Sequence, residues 1–275
     1  MTWFEAVFLG ILQGLTEFLP ISSSAHLLIF SQIFGWQDPG AAFTAVTQIG
    51  TETAVLIFFR KDIWRIITTW IKSLYTPELR GNLDARMGWY VIVGTIPIAV
   101  IGFAFSDIIE TAARNLWLVS TVLIVFGVIL GVADKVGAKT RGLETLSMRS
   151  GLVFGFGQAL ALIPGVSRSG ATITTGLFMG FTREAATRYA FLLAIPAVLA
   201  SGFFEATKIG DPGQASVAWP QVIVSTLVAF VIGYAVIAWL LKYVSTHSYM
   251  PFVIYRVALG SLVLGLLASG AIAAN

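Results

Sequence analysis

Long apolar runs alternate with short polar segments along the whole chain. A helix that crosses a bilayer needs about 20 mainly apolar residues, so each run of that length predicts a membrane span. Six runs qualify: 41–59, 87–106, 115–134, 186–205, 219–243 and 251–271. The pattern therefore predicts an all-α, polytopic membrane protein with six transmembrane helices.

Two further apolar regions are each interrupted by a polar break, at 20–26 and at 164–172. Four short apolar segments flank these breaks: 2–12, 25–36, 150–163 and 171–181. None of the four is long enough to cross a bilayer alone. Irregular backbone at membrane depth is tolerated where protein or a water-filled cavity covers it. We therefore expect two re-entrant helix–loop–helix hairpins.

The two halves of the chain resemble each other at an offset of 145 residues. Identical residues recur at this offset, among them Gly10 and Gly155, Gln13 and Gln158, Ser22 and Ser167, Ser24 and Ser169. Each half then holds one hairpin and three spans, and because three is odd the second half enters the membrane upside down. Inverted repeats with discontinuous helices often place their site near the midplane. We predict a single membrane domain of inverted repeats, approximately 1–134 and 150–272, joined by a cytoplasmic linker at 135–149.

Composition agrees with a membrane protein. Apolar residues make up 57% and charged residues 11% of the 275 residues, whereas a soluble domain carries about 25% charge. The net charge of +3 does not indicate nucleic-acid binding, because the basic residues concentrate in two loops. The absence of cysteine excludes disulfides and thiolate metal sites.

The basic loops also predict the orientation of the chain. Two loops hold most of the basic residues: Arg60, Lys61, Arg65, Lys72, Arg80, Arg86, Lys135, Lys139, Arg141 and Arg149. Loops 107–114 and 206–218 have one basic residue each. Because cytoplasmic loops carry the excess of Lys and Arg, we expect the first hairpin and both termini on the outer side. The second hairpin would enter from the cytoplasm, and the aromatic, basic segment 63–75 is typical of an interfacial helix.

The second break carries an arginine, Arg168, among small polar residues. An arginine at membrane depth costs roughly 2.5–3.5 kcal/mol on insertion scales, so it needs a reason. Hydroxyls, backbone amides and the start of a helix favour an anion, and a guanidinium adds a fork suited to phosphate. Three hydroxyl residues accompany Arg168: Ser167, Ser169 and Thr172. The alternative is an arginine that binds backbone carbonyls of the opposing hairpin.

Glu17 lies just before the first break, and His26 is its last residue. Glu17 follows Gln13 by four residues, so these two share one helical face. Ionisable groups within a membrane are usually functional. The alternative is that Glu17 and His26 form a hydrogen-bonded pair that stabilises the hairpin. Three serines lie between them, as substrate contacts or as helix caps: Ser22, Ser23 and Ser24.

Four further charged residues lie in or beside the spans. Glu52 either faces the cavity or neutralises a basic neighbour. Arg183, Arg188 and Arg256 stand near the starts of spans, where we expect their side chains to extend to the membrane interface. For Arg256, contact with substrate is the alternative. Two segments rich in small residues predict close helix packing: 127–131 and 260–265.

A phosphoryl-transfer site needs an anion clamp, a nucleophile or positioned water, and a base. Arg168 with its hydroxyl neighbours, Ser23 or a water, and Glu17 with His26 supply these parts. The apolar surroundings suit a lipid tail. The residues therefore predict a site for a phosphate-bearing amphiphile, with hydrolysis as the reaction that these parts support.

Both breaks resemble the motifs of the undecaprenyl-diphosphatase family. Residues 13–26, Gln-Gly-Leu-Thr-Glu-Phe-Leu-Pro-Ile-Ser-Ser-Ser-Ala-His, resemble its Glu/Gln-Gly-x-x-Glu-x-x-Pro-x-Ser-Ser-x-x-His motif. Residues 164–172 resemble its Pro-Gly-x-Ser-Arg-Ser-x-x-Thr motif. The resemblance runs the length of the chain and includes 191–196 and 254–256.

The resemblance implies hydrolysis of undecaprenyl diphosphate to undecaprenyl phosphate and inorganic phosphate at the outer face of the bacterial inner membrane. This reaction would recycle the lipid carrier for peptidoglycan synthesis and confer bacitracin resistance. Four residues would be catalytic, and the nucleophile is left open between Ser23, His26 and water: Glu17, Ser23, His26 and Arg168. Six would bind substrate: Gln13, Ser22, Ser24, Ser167, Ser169 and Thr172.

The resemblance further implies a divalent cation, Mg²⁺ or Ca²⁺, held by Glu17 and Gln13 between carboxylate and diphosphate oxygens. Many family members have a second glutamate at the first motif position, where this chain has Gln13. Gln13 can ligate through its carbonyl oxygen but brings no charge, so Glu17 carries more of the role. A homodimer is left open.

Two other functions compete with this prediction. Acid-phosphatase-like lipid phosphatases also have Ser-x-His and Ser-Arg elements, but this sequence lacks their Lys-x6-Arg-Pro motif. A flippase of the polyprenyl phosphate carrier is the second alternative, because inverted repeats suit alternating access.

Overall fold

The structure of the chain is a computed structural model that describes residues 1–105, 115–209 and 217–274. These residues form helices joined by short turns, with no β-strand among them. Their α-helices, in chain order, are α1 Trp3–Thr16, α2 Ser23–Ile33, α3 Gly40–Phe58, α4 Arg60–Tyr75, α5 Leu83–Ala104, α6 Leu116–Val136, α7 Met148–Ala159, α8 Arg168–Phe178, α9 Arg183–Ala206, α10 Trp219–Val244 and α11 Met250–Ala268.

Six of these helices are long and apolar enough to cross a membrane: α3, α5, α6, α9, α10 and α11. They coincide with the six predicted spans, and their ends differ from the predicted ends by about one turn at most. Residue 106, the predicted end of the second span, lies outside the described residues. The all-α polytopic class is therefore confirmed.

The four helices beside the two breaks form two pairs, α1 with α2 and α7 with α8. Each break ends at an earlier residue than the sequence predicts. The first covers 17–22 and the second 160–167, with a short 3₁₀ turn at Leu160–Leu162. Consequently His26 lies inside α2, and Arg168 is the first residue of α8. The position of these pairs at membrane depth stays a prediction.

The backbone of the two breaks is alike. Ser22 and Ser167 each precede the second helix of their pair, and both have φ of 73°. This left-handed conformation is uncommon for residues other than glycine. Gly35 and Gly180, which follow the same two helices, also have positive φ. The offset of 145 residues between the sequence halves thus relates backbone conformations as well.

Each helix pair is packed against the other half of the chain. Helix α1 packs on α10, and α7 packs on α5. A Cβ atom on Gly10 would lie 2.6 Å from the backbone oxygen of Ser225, and one on Gly155 would lie 2.2 Å from that of Gly94. Small residues let helix backbones approach this closely in membranes. Helix α3 packs on α9 and α6 on α11, so the two halves interlock around a shared centre.

Helix α4 covers the predicted interfacial segment 63–75. Its side chains include exposed aromatic residues, among them Trp64 and Tyr75. Arg65 donates a hydrogen bond to Asp84 at 2.8 Å, which raises the pKa of Arg65. This bond joins α4 to the start of α5, beside which α4 packs. The helix is confirmed, and its place at the membrane interface stays a prediction.

Candidate active site

An ion pair joins the two breaks. The carboxylate of Glu17, just after α1, accepts a hydrogen bond from the guanidinium of Arg168 at the start of α8. The exposed fraction of the side chain is 4% for Glu17 and 18% for Arg168. The sequence halves therefore meet at the two charged residues that the breaks carry.

The second oxygen of Glu17 organises the first break. Glu17 Oε2 accepts hydrogen bonds from Gln13 Nε2 at 2.7 Å and from Ser23 Oγ at 2.6 Å. The bond from Gln13 follows from helical spacing, since residues four apart share a face. The bond from Ser23 spans the break and fixes the start of α2 against the end of α1. A hydroxyl that donates to a carboxylate has the arrangement of a nucleophile beside its base.

The hydroxyl groups of the second break differ in where they point. Ser169 Oγ donates to the carbonyl of Leu19 at 3.1 Å, so it reaches the first break. Ser167 Oγ accepts from the backbone N–H of Gly170 and caps α8. Thr172 Oγ1 donates to the carbonyl of Arg168 at 2.8 Å, within its own helix. Of the three, Ser169 lines the cavity described below.

Ser22 and Ser24 lie beside each other, with 3.4 Å between their hydroxyl oxygens. Ser22 is the N-cap residue of α2, but its side chain makes no capping hydrogen bond. Its positive φ instead turns the chain into the helix.

His26 is held by two hydrogen bonds within the described residues, and neither goes to Glu17. Its Nδ1 lies 2.7 Å from the carbonyl oxygen of Ser22, and its Nε2 lies 2.8 Å from the hydroxyl of Tyr255. A carbonyl only accepts, so Nδ1 carries the proton and Nε2 of the neutral ring accepts from Tyr255. The Tyr255 ring also stacks on the imidazole. The alternative of a Glu17–His26 pair is therefore wrong.

Arg256 binds backbone carbonyls of the breaks. This is the structural role that was the alternative for Arg168. Its side chain is 0% exposed and donates four hydrogen bonds, all to backbone carbonyls. The acceptors lie in both breaks and in α6: Pro20, Gly165, Val166 and Leu123. The prediction that Arg256 extends to the membrane interface is wrong, because interrupted helices leave carbonyls without helical partners and a guanidinium has five donors to satisfy them.

Arg183 and Arg188 are partly exposed at the start of α9, and both are paired. That they reach the membrane interface stays a prediction. Arg183 Nε lies 2.5 Å from Asp134, and Arg188 Nη2 lies 3.1 Å from Asp62. The two segments rich in small residues also pack closely: Gly127 lies against Arg256 and Gly260 against α6. Gly265 has no neighbour within 4 Å of an added Cβ atom.

A narrow cavity lies beside the ion pair. Its polar lining consists of Glu17, Arg168, Ser169 and Glu52. Its apolar lining consists of Phe18, Val55, Ala190, Phe191 and Ala194. Of the two alternatives for Glu52, the structure favours the first, because this carboxylate faces the cavity. The polar end and the apolar walls match the two parts of a phosphate-bearing lipid. The cavity itself, at about 10 Å³, holds about one water molecule, so a head group would enter only when the cavity widens.

Two side-chain oxygens beside the ion pair would be available to a hard cation. Gln13 Oε1 and Glu52 Oε1 are buried and have no hydrogen-bond partner. Within the described residues, no group of three or more His, Cys, Asp and Glu side chains is placed to hold a metal ion. Mg²⁺ is commonly bound by one or two carboxylates together with water and substrate phosphates.

Fold and cavity define a polytopic membrane protein whose buried polar site lies between two interrupted helix pairs. Residues 6–262 match the family described as the bacitracin resistance protein BacA, and the chain belongs to this family.

The chain is also similar to curated relatives over nearly its whole length. It is 61% identical to an undecaprenyl-diphosphatase of Nocardioides sp., over 98% of each chain. It is 57% identical to undecaprenyl-diphosphatase 2 of Streptomyces avermitilis, over 99% of this chain and 97% of the relative. Identity to the undecaprenyl-diphosphatase of Micrococcus luteus is 56% over the full length of both.

Proposed function

We propose that this protein hydrolyses undecaprenyl diphosphate to undecaprenyl phosphate and inorganic phosphate. The observation that carries the proposal is the Glu17–Arg168 pair, which joins the two breaks at a cavity with apolar walls. Near-full-length identity to undecaprenyl-diphosphatases supports the same reaction.

Arg168 is proposed to clamp the diphosphate. Glu17 is its only side-chain partner within the described residues, so several of its five N–H groups are free for phosphate oxygens. Ser169 at the cavity wall and the start of α8 add polar groups where negative charge is favoured.

Ser23 is the nucleophile that the geometry favours, because its hydroxyl donates to Glu17 at 2.6 Å. In this proposal Ser23 Oγ attacks the terminal phosphorus, its proton passes to Glu17, and undecaprenyl phosphate leaves. Water then hydrolyses the phosphoserine and releases inorganic phosphate. Trapping of a phosphoryl-enzyme on Ser23 would support this order, and direct attack by water would leave no such adduct.

A divalent cation, Mg²⁺ or Ca²⁺, is proposed to bind Glu17 and Gln13. When bound, it would offset the negative charge of the diphosphate. Gln13 Oε1, which has no hydrogen-bond partner among the described residues, would be available to it.

The proposed location is the bacterial inner membrane, with the site open to the periplasmic side. There the product, undecaprenyl phosphate, would re-enter peptidoglycan synthesis. Its formation from undecaprenyl diphosphate would confer bacitracin resistance. The basic loops support this orientation. A single chain carries every residue named here, so the proposal does not depend on a homodimer.

Purified protein reconstituted into vesicles tests the function. Phosphate release from undecaprenyl diphosphate is expected, and Arg168→Ala and Glu17→Ala are expected to abolish it while the protein remains folded. Leaflet exchange of the lipid without phosphate release would instead identify a flippase. Full turnover by either folded variant would overturn the assignment of the site.

A further inference from the structure

Glu52 is a buried carboxylate on a predicted membrane span, and among the described residues nothing donates a hydrogen bond to its Oε1. It lies on α3, and its exposed fraction is 1%. Removing a charged group from water is costly unless pairing and hydrogen bonds compensate. Burial favours the protonated form of such a group, so an ionised Glu52 needs a positive partner beside it.

The position of Glu52 shows where that partner would lie. Glu52 lines the same cavity as Glu17 and Arg168, together with Val55 from the next turn of α3. Helix α3 therefore presents a second carboxylate to the candidate active site. A surface role for Glu52 would require exposure that the side chain does not have.

The charges at the cavity do not balance for an anionic substrate. Two carboxylates, Glu17 and Glu52, face one guanidinium, Arg168. Arg256 does not line the cavity, and its donors are bound to backbone carbonyls. With both carboxylates ionised, a diphosphate that entered this cavity would meet a net negative charge. A divalent cation held by the two carboxylates would remove this conflict.

We propose that Glu52 is the second carboxylate ligand of a divalent-cation site that it shares with Glu17. Gln13, hydrogen-bonded to Glu17 at 2.7 Å, adds a neutral oxygen and no charge. Glu52 thus supplies the second negative charge from a different helix. The inference rests on the proposed function for the identity of the substrate, but the cation site is testable without substrate.

The test measures binding of Mn²⁺ to the detergent-solubilised full chain by electron paramagnetic resonance, with no lipid substrate present. Glu52→Gln is expected to weaken Mn²⁺ binding by at least about tenfold, since even the loss of outer-shell partners has this effect. The control is Thr47→Val, on the same helix, because Thr47 is equally buried and its hydroxyl bonds only to the backbone. The control is expected to bind Mn²⁺ like the unmodified protein.

A rescue variant locates the second charge. Gln13→Glu combined with Glu52→Gln moves the carboxylate beside Glu17 and is expected to restore most of the lost Mn²⁺ affinity. Phosphate release at limiting Mg²⁺ should follow the same order across the variants. If Glu52→Gln binds Mn²⁺ as tightly as the unmodified protein, the inference is overturned.

Thermal unfolding with a chelator covers the case in which the variant is poorly folded. Without cation, Glu52→Gln should be at least as stable as the unmodified protein, because a neutral amide replaces an unpaired buried carboxylate. Loss of fold in the chelator would show a structural partner for Glu52 and would also overturn the inference. An unmodified protein that binds Mn²⁺ through Glu52 but releases no phosphate would refute the proposed function alone.

Discussion

Two arginines beside the breaks, Arg256 and Arg168, have different roles. Arg256 donates to backbone carbonyls, whereas Arg168 has one side-chain partner among the described residues, Glu17. The guanidinium of Arg256 is occupied by backbone carbonyls, so its role is structural. The guanidinium of Arg168 has donors left that face a cavity, which is the condition for binding an anion.

Arg168→Lys tests the need for a fork of donors. Lysine keeps the positive charge but cannot bind phosphate in a bidentate manner. We expect kcat for phosphate release to fall about 100-fold or more, as on loss of an electrostatic donor at other active sites. Arg188→Lys, whose partner is Asp62 away from the cavity, is the control. Equal turnover by both variants would contradict the clamp.

His26 and Tyr255 form a second testable pair. His26→Ala removes both side-chain hydrogen bonds of His26 at the first turn of α2, on which Ser23 lies. We expect kcat to fall by about 100-fold, because a small misplacement of a reacting group has an effect of this size. Tyr255→Phe keeps the stacked ring and removes only the hydrogen bond to Nε2, so we expect a smaller loss. Kinetics of both variants with the lipid diphosphate provide the measurement. Full activity of His26→Ala would show that Ser23 does not depend on His26 for its position.

At this scale the sequence predicted the charged residues of both breaks but not the role of Arg256. Glu17 and Arg168 stand out because each lies in a polar break of an apolar region. The partners of Arg256 are carbonyls in Pro20 and Gly165, far away in the chain and invisible to side-chain patterns. Glu52 was noticed for its charge, and its place at the cavity needed the structure.

The interrupted helix pairs are the elements on which the site depends, and Arg256 joins them. Arg256→Met removes the donors to both breaks and leaves buried carbonyls unsatisfied, at about 1–3 kcal/mol for each group. We expect a large fall in thermal stability in detergent, with loss of phosphate release. Arg188→Met, at a partly exposed ion pair, should change the unfolding temperature little. Similar shifts for both variants would refute the bridging role.

Close packing of α1 against α10 gives a prediction about a glycine. An added methyl group at Gly10 would lie 2.6 Å from the oxygen of Ser225, so the helices must separate. We expect Gly10→Ala to destabilise the protein by about 1–3 kcal/mol, as overpacking does. Gly265→Ala is the matched control, because nothing lies within 4 Å of the added atom. Unfolding temperatures in one detergent compare the two, and equal values would argue against tight packing.

The six spans were largely predictable from the sequence, because each appears as an apolar run of the length that a bilayer requires. The residues at which the breaks begin and end were less predictable. Ser22 and Ser167 turn the backbone with positive φ, and the next helix begins at the following residue. Because such a turn is short, the second helix of each pair begins before the polar stretch of sequence ends. His26 and Arg168 therefore lie in helices.

The orientation of the whole molecule is testable because the chain contains no cysteine. Gln37→Cys and Glu144→Cys introduce single thiols at exposed positions on loops of opposite predicted sides. In intact cells whose outer membrane is permeable to the reagent, a membrane-impermeant maleimide should label Gln37→Cys. Glu144→Cys should react only after the inner membrane is opened. The reverse pattern would place the site on the cytoplasmic side.

The way in which the halves exchange packing partners has a consequence for synthesis. Helix α1 is translated well before α10, the helix on which it packs. Until α10 is inserted, the glycine face of α1 lacks this packing partner. The site is therefore completed only after α10 has entered the membrane.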